Sequence, residues 1–209
     1  MSFMERVGAA DEGCLTGVSG EALLQTPCGA RRAEFVRPGD LIVTRTGGLR
    51  PVRLVWTHRI GRARMQADPG TAPVRLAARA LGPMMPARGF LLAPAHRVLL
   101  PGWMLEDGGA DGGLLEAGAL AGGTDAAWRD RAAEEVTFYN FVFDRHEVLC
   151  ASGLPVETFR PRPDLLDRLD AGTRLELVRR FPALRRSEQA FPALPVPVAP
   201  AASYLAAME

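Results

Sequence analysis

The sequence predicts an all-β domain, and three observations carry that prediction. Between residues 20 and 56, apolar and β-branched runs of strand length are separated by turn residues about every ten positions. Tyr139, Phe141 and Phe143 then alternate with Asn140, Val142 and Asp144, the period of a strand buried on at least one face. Helix signals collect only beyond Phe159.

The 209 residues divide by composition into a flexible leader at 1–12, a β domain at 13–161, a helical extension at 162–190 and a proline-rich tail at 191–209. Residues 22–26 read as a first strand closed by the turn Pro27-Cys28-Gly29, and residues 33–36 as a second. Arg37-Pro38-Gly39-Asp40 then places proline and glycine at the two central positions of a type II turn, where the second needs a positive φ. Residues 41–45 and 51–56 continue the strand pattern. From 61 to 101 it loosens into connections around Val74-Arg75-Leu76 and residues 90–100, and 102–133 reads as a solvated loop with a flexible tip at 108–113. Two short helices follow Pro163 and the capping box Thr173-x-x-Glu176, the second ending before Pro182. The tail, with prolines at 192, 195, 197 and 200, reads as a disordered, polyproline-like spacer.

Composition narrows the function classes. A net charge of +1 supplies no field for nucleic acid or anionic lipid, and the basic patches with interleaved aromatics that nucleic-acid readers use are missing. No run approaches the roughly 18 apolar residues needed to span a bilayer, so no membrane insertion is expected. Three widely spaced cysteines, Cys14, Cys28 and Cys150, form neither a disulfide framework nor a Cys-x-x-Cys zinc motif. The expectation is a cytoplasmic protein without a cofactor, with export lacking a cleaved signal left open and an unidentified protein as the remaining partner class.

Two stretches carry the chemistry. In residues 138–159, Asp144 and His146 sit two positions apart, and on a strand they would share one side, so that a carboxylate sets the tautomer and raises the basicity of an imidazole. In residues 90–100, His96 is the one group able to exchange protons near neutral pH within two apolar runs. His58, in Trp56-Thr57-His58-Arg59, reads as a strand-edge histidine with no task, and Cys28 and Cys150 as turn or buried thiols.

Taken together, Thr26-Pro27-x-Gly29, the Arg37-Pro38-Gly39-Asp40-Leu41 turn, the Ala93-Pro94-Ala95-His96 block and the later Asp144-x-His146 block resemble Hint domains. These are the autoprocessing modules of Hedgehog proteins and inteins, and the bacterial stand-alone type is the more similar. The resemblance runs over residues 13–181. It implies a horseshoe of curved strands and a reaction in which a cysteine at the domain's first position attacks the preceding carbonyl, forming a thioester. It implies further that the first-block histidine, here His96, acts on the scissile amide, while Asp144 and His146 manage the nucleophile's proton and the second step.

The sequence departs from that pattern at three places. Cys14 is the one cysteine near the start, yet counting back from Thr26-Pro27 puts the nucleophile position nearer Gly17. The first block has Ala93 where the family carries a hydroxyl. The chain's single asparagine, Asn140, lies inside a predicted strand, so asparagine-dependent splicing is not expected. Three readings follow: a catalytically degenerate Hint module that binds or supports; self-cleavage between Gly13 and Cys14 by Cys14, His96, Asp144 and His146; and a zinc site made by His96, His146 and Cys14 or Cys150.

Overall fold

The computed structural model describes residues 15–106, 108–185 and 191–204. Among them the strands are β1 (Val18–Ser19), β2 (Leu23–Thr26), β3 (Gly29–Arg32), β4 (Leu41–Thr44), β5 (Gly48–Pro51), β6 (Leu54–Gly61), β7 (Val74–Leu76), β8 (Phe90–Leu92), β9 (Arg97–Leu100), β10 (Gly113–Glu116), β11 (Ala127–Arg129), β12 (Glu135–Val142), β13 (Val148–Ala151) and β14 (Leu154–Glu157). The helices are short: α1 (Arg62–Ala67), α2 (Pro163–Leu166) and α3 (Ala171–Arg180). One sheet has the order β11-β7-β8-β1-β12-β6; the other runs β10-β9-β14-β13-β2-β3, with β4 on β13 and β5 on β4. The predicted all-β class is what the chain adopts.

β12 is the spine of the first sheet, pairing antiparallel with β6 from Glu135↔Gly61 to Val142↔Leu54. Its alternation sorts the side chains as expected: Tyr139, Phe141 and Phe143 enter the main core beside Leu24, Leu92 and Leu149. The opposite face divides between Phe138, which packs with Ile60 and Met65, and Val142, which packs with Leu54, Trp56 and Phe159 under the helical extension. Asn140 is the polar residue on that second face, buried between two apolar clusters. On the other edge of β12 lies β1, with Val18 opposite Tyr139 and also opposite Leu92 of β8. The first described residues are therefore enclosed on both sides.

The Pro38-Gly39 turn forms as expected, with Gly39 at φ 96 and the Asp40 amide donating to the Arg37 carbonyl at 3.1 Å. Three expectations are corrected. Residues 33–35 form a single 3-10 turn because Ala33 and Val36, both fully buried, are three apart, a helical and not a strand spacing. The stretch 102–133 contains β10 and β11 and buries Leu114, Leu115, Leu120 and Ala127; pairing with β9 and β7, not local propensity, makes these strands. The cap of α3 is Asp170, whose Oδ1 accepts from the amides of Gly172 and Thr173 at 3.0 Å each, so Thr173 lies inside the helix.

The described part of the tail also differs from expectation, residues 205–209 lying outside the described residues. Residues 191–204 form a strap laid on the second sheet, with Phe191 and Leu194 buried. The Leu114 amide donates to the Pro197 carbonyl and the Ala199 amide to the Leu114 carbonyl, both at 2.8 Å, while Tyr204 bridges to Leu105. Leu194 packs with Leu99, Leu114 and Val148. Prolines suit an edge position because they ask for no acceptor, leaving few amides to satisfy.

Candidate functional site

The site grows from the enclosure of residues 15–17. Residues 15–17 run between β12 and the turn that carries His96: the Ala95 amide donates to the Leu15 carbonyl at 2.9 Å and the Ala93 amide to the Gly17 carbonyl at 3.0 Å. That turn is closed by the His96 amide on the Ala93 carbonyl at 3.0 Å, which directs the imidazole inward. His96 is 4 % exposed, and its Nδ1 accepts the backbone N–H of Gly17 at 3.0 Å.

The other end of the same peptide unit is also held. The Thr16 carbonyl lies 2.6 Å from Nε2 of His58 and 3.1 Å from Nδ2 of Asn140, and the Thr16 hydroxyl donates to Oδ1 of Asn140 at 2.9 Å. A carbonyl only accepts, so His58 carries its proton on Nε2. The His58 ring is fixed between Trp56 and Phe138, with centroids 5.6 and 5.5 Å away. Three side chains from β6, β12 and the 93–96 turn thus grip one peptide bond, Thr16–Gly17, by both its oxygen and its nitrogen.

Burial decides the charge of the two imidazoles. Desolvation pushes His96 down to about 4; the Glu157 carboxylate opposes the shift, and Arg97 and His58 add to it. His58 is lowered for the same first reason, against the pull of the Thr16 carbonyl. Both rings are neutral near pH 7, and His96 then offers Gly17 a lone pair and not a proton. Gly17 itself has φ 115, and a Cβ there would lie 2.8 Å from Nδ2 of Asn140 and 3.0 Å from the Tyr139 carbonyl. The gripped position is shaped for a residue without a side chain.

The later block is rearranged relative to expectation. β12 ends at Val142, so Asp144 and His146 do not share one side of a strand. Asp144 stands at the surface, where the Arg53 guanidinium donates to both its oxygens at 2.7 to 3.0 Å. His146 turns inward and is 6 % exposed; its Nε2 lies 3.3 Å from Oε2 of Glu157 and its Nδ1 accepts the Leu194 amide at 3.3 Å. The carboxylate beside this imidazole is therefore Glu157. A sequence signal for it existed: the two-residue turn Ser152-Gly153, with φ 51 and 88, sets Val148 opposite Glu157 in the β13–β14 hairpin.

Of the four predicted catalytic residues, Cys14 lies outside the described residues, His96 is at the gripped peptide, Asp144 is on Arg53 and His146 is beneath the strap. Glu157 is the group between the two halves, near enough to act on His96 and in contact with His146. Sequence reasoning missed His58, Asn140 as a carbonyl donor, and Glu157. Among the described residues no group of three His, Cys, Asp or Glu side chains is placed to hold a metal. Cys150 sits half-buried on β13 with its thiol pushed up by burial, and among the described residues it belongs to no such group. Among the described residues no helix is long and apolar enough to cross a membrane.

Comparison with known proteins matches residues 16–163 to the Hint domain family model. Among solved structures, a bacterial intein-like domain from Clostridium thermocellum aligns at 13% identity and TM-score 0.44, covering 70% of this chain and 100% of that one. The gp41-1 intein aligns at 11% identity and TM-score 0.41, covering 68% and 97%. A search of curated proteins returns no match.

Proposed function

The chain belongs to the Hint domain family, and from that premise we propose that it is a non-cleaving member, a binding or structural module in which the niche around His96 holds the Thr16–Gly17 peptide in place. The observation that carries this reading is the His96 Nδ1 contact to the amide of Gly17. In the resemblance described above, the first-block histidine addresses the amide of the residue that supplies the nucleophile. Here that residue is glycine, in a conformation that disfavours any side chain. Neutral His96 accepts from the peptide nitrogen, whereas expelling an amine requires delivering a proton to it. The pairing of Asp144 with Arg53 points the same way, since it leaves that carboxylate at the surface. Self-cleavage between Gly13 and Cys14 would need His96 to serve a bond three residues upstream of the one it grips.

Intact mass tests this directly. The full-length protein is expected to stay uncleaved in hydroxylamine and in excess thiol, and Cys14→Ala to behave as the parent does. Release of a fragment ending at Gly13 or Thr16, abolished by Cys14→Ala or His96→Ala, would overturn the proposal.

A further inference from the structure

The strap is fastened to the buried network through a single titratable atom. Nδ1 of His146 is the acceptor for the Leu194 amide, so the ring's one proton resides on Nε2, the nitrogen 3.3 Å from Glu157. A second proton can enter this ring only at Nδ1. It would turn the acceptor into a donor facing another donor, and the Leu194 amide would be left buried without a partner. We propose that His146 is a proton-sensitive latch: neutral, it holds the strap of residues 191–204 over the edge of β10; protonated, it lets the strap go.

The surroundings are built for both states. From β14, Glu157 offers a carboxylate to an imidazolium. From β9, Arg97 lies 4.0 Å from that carboxylate and 4.0 Å from Glu116 of β10, sharing its charge between them. Glu147, the chain neighbour, points away to Thr44, Thr46 and Arg50 and does not compete. The strap contributes no charged side chain between Phe191 and Tyr204, so nothing on it compensates a positive ring. Among the described residues the other holds on the strap include backbone contacts to Leu114 and Glu106, the Tyr204 bridge to Leu105, the Arg160 side chain on the Phe191 carbonyl at 2.7 Å, the Phe181–Phe191 ring contact, and the burial of Phe191 and Leu194; none of these titrates near neutral pH. Release uncovers Leu99, Leu114 and Val148 together with the edge of β10. The inference stands whether or not the domain cleaves itself.

Amide exchange of the full-length protein, corrected for the intrinsic effect of pH on exchange, tests the latch. Between about pH 8 and about pH 5, the opening equilibrium at Leu194 is expected to rise about tenfold. The amides of Val98 and Phe141 in the core serve as internal reference. His146→Asn places an uncharged carbonyl oxygen near the Nδ1 position and is expected to keep the strap closed at both pH values. Glu157→Gln withdraws the partner of the charged ring and is expected to move release to lower pH. Equal protection of Leu194 at both pH values, a gain shared fully by Val98 and Phe141, or an unaltered pH response in His146→Asn would each overturn the latch. Should His146→Asn fail to fold, the shift in Glu157→Gln decides alone.

Discussion

At the scale of single residues, the position that the site constrains is one with no side chain. Gly17 combines a positive φ with walls at 2.8 to 3.1 Å from any added Cβ, formed by Asn140, Tyr139 and Phe138. Gly17→Ala is expected to cost roughly 2–4 kcal/mol, through backbone strain and displacement of the Asn140 amide from the Thr16 carbonyl. Chemical denaturation of the variant beside the parent measures it. Gly17→Cys meets the same walls, so supplying a thiol at this position is not by itself a route to cleavage. The Asp144–Arg53 pair is the contrast: both side chains are about half exposed, and such pairs contribute under about 1 kcal/mol.

At the scale of elements, the β4–β5 hairpin shows how a buried charge is secured. Glu147, 1 % exposed, accepts from the hydroxyls of Thr44 and Thr46 and lies 3.5 Å from Nε of Arg50, while Gly47 leaves the space that its carboxylate fills. Glu147→Ala strips partners from both threonines and Arg50 and should lower stability by roughly 2–3 kcal/mol, read as a shift in denaturant midpoint at constant slope. Local pattern made several elements legible: β12 by aromatic alternation, the Pro38-Gly39 turn by its φ requirement, and two helices by proline boundaries. It failed where partners far along the chain decide. β10 exists because β9 and the strap flank it, Asp144 was parted from His146 by a strand end that alternation does not reveal, and His58 gained its role only when Thr16 was threaded beside it. His96 was visible as a lone imidazole between apolar runs; what it grips was not.

At the scale of the whole molecule, the buried imidazoles couple stability to pH. His96 ordinarily titrates near 6.5 and is held at about 4 when folded. Between those values the unfolded chain binds the extra proton and the folded one does not, so stability rises with pH across this window. The contribution is fully present above pH 6.5, declines as pH falls toward 4, and amounts to about 3 kcal/mol. His58 acts in the same direction. Urea unfolding at about pH 7 and about pH 4.5 checks this. His96→Asn, which retains an acceptor for the Gly17 amide without a titrating group, is expected to flatten the profile.

The strap has one more consequence, for behaviour in concentrated solution. Four of its first ten positions, at 192, 195, 197 and 200, are proline and have no amide hydrogen. Laid along β10, this segment makes the margin of the sheet a poor template for further chains, since a neighbour seeking a ladder meets gaps where donors belong. Crowded copies are thereby kept from zipping together along that side, a safeguard against fibrous growth that depends on the strap staying in place.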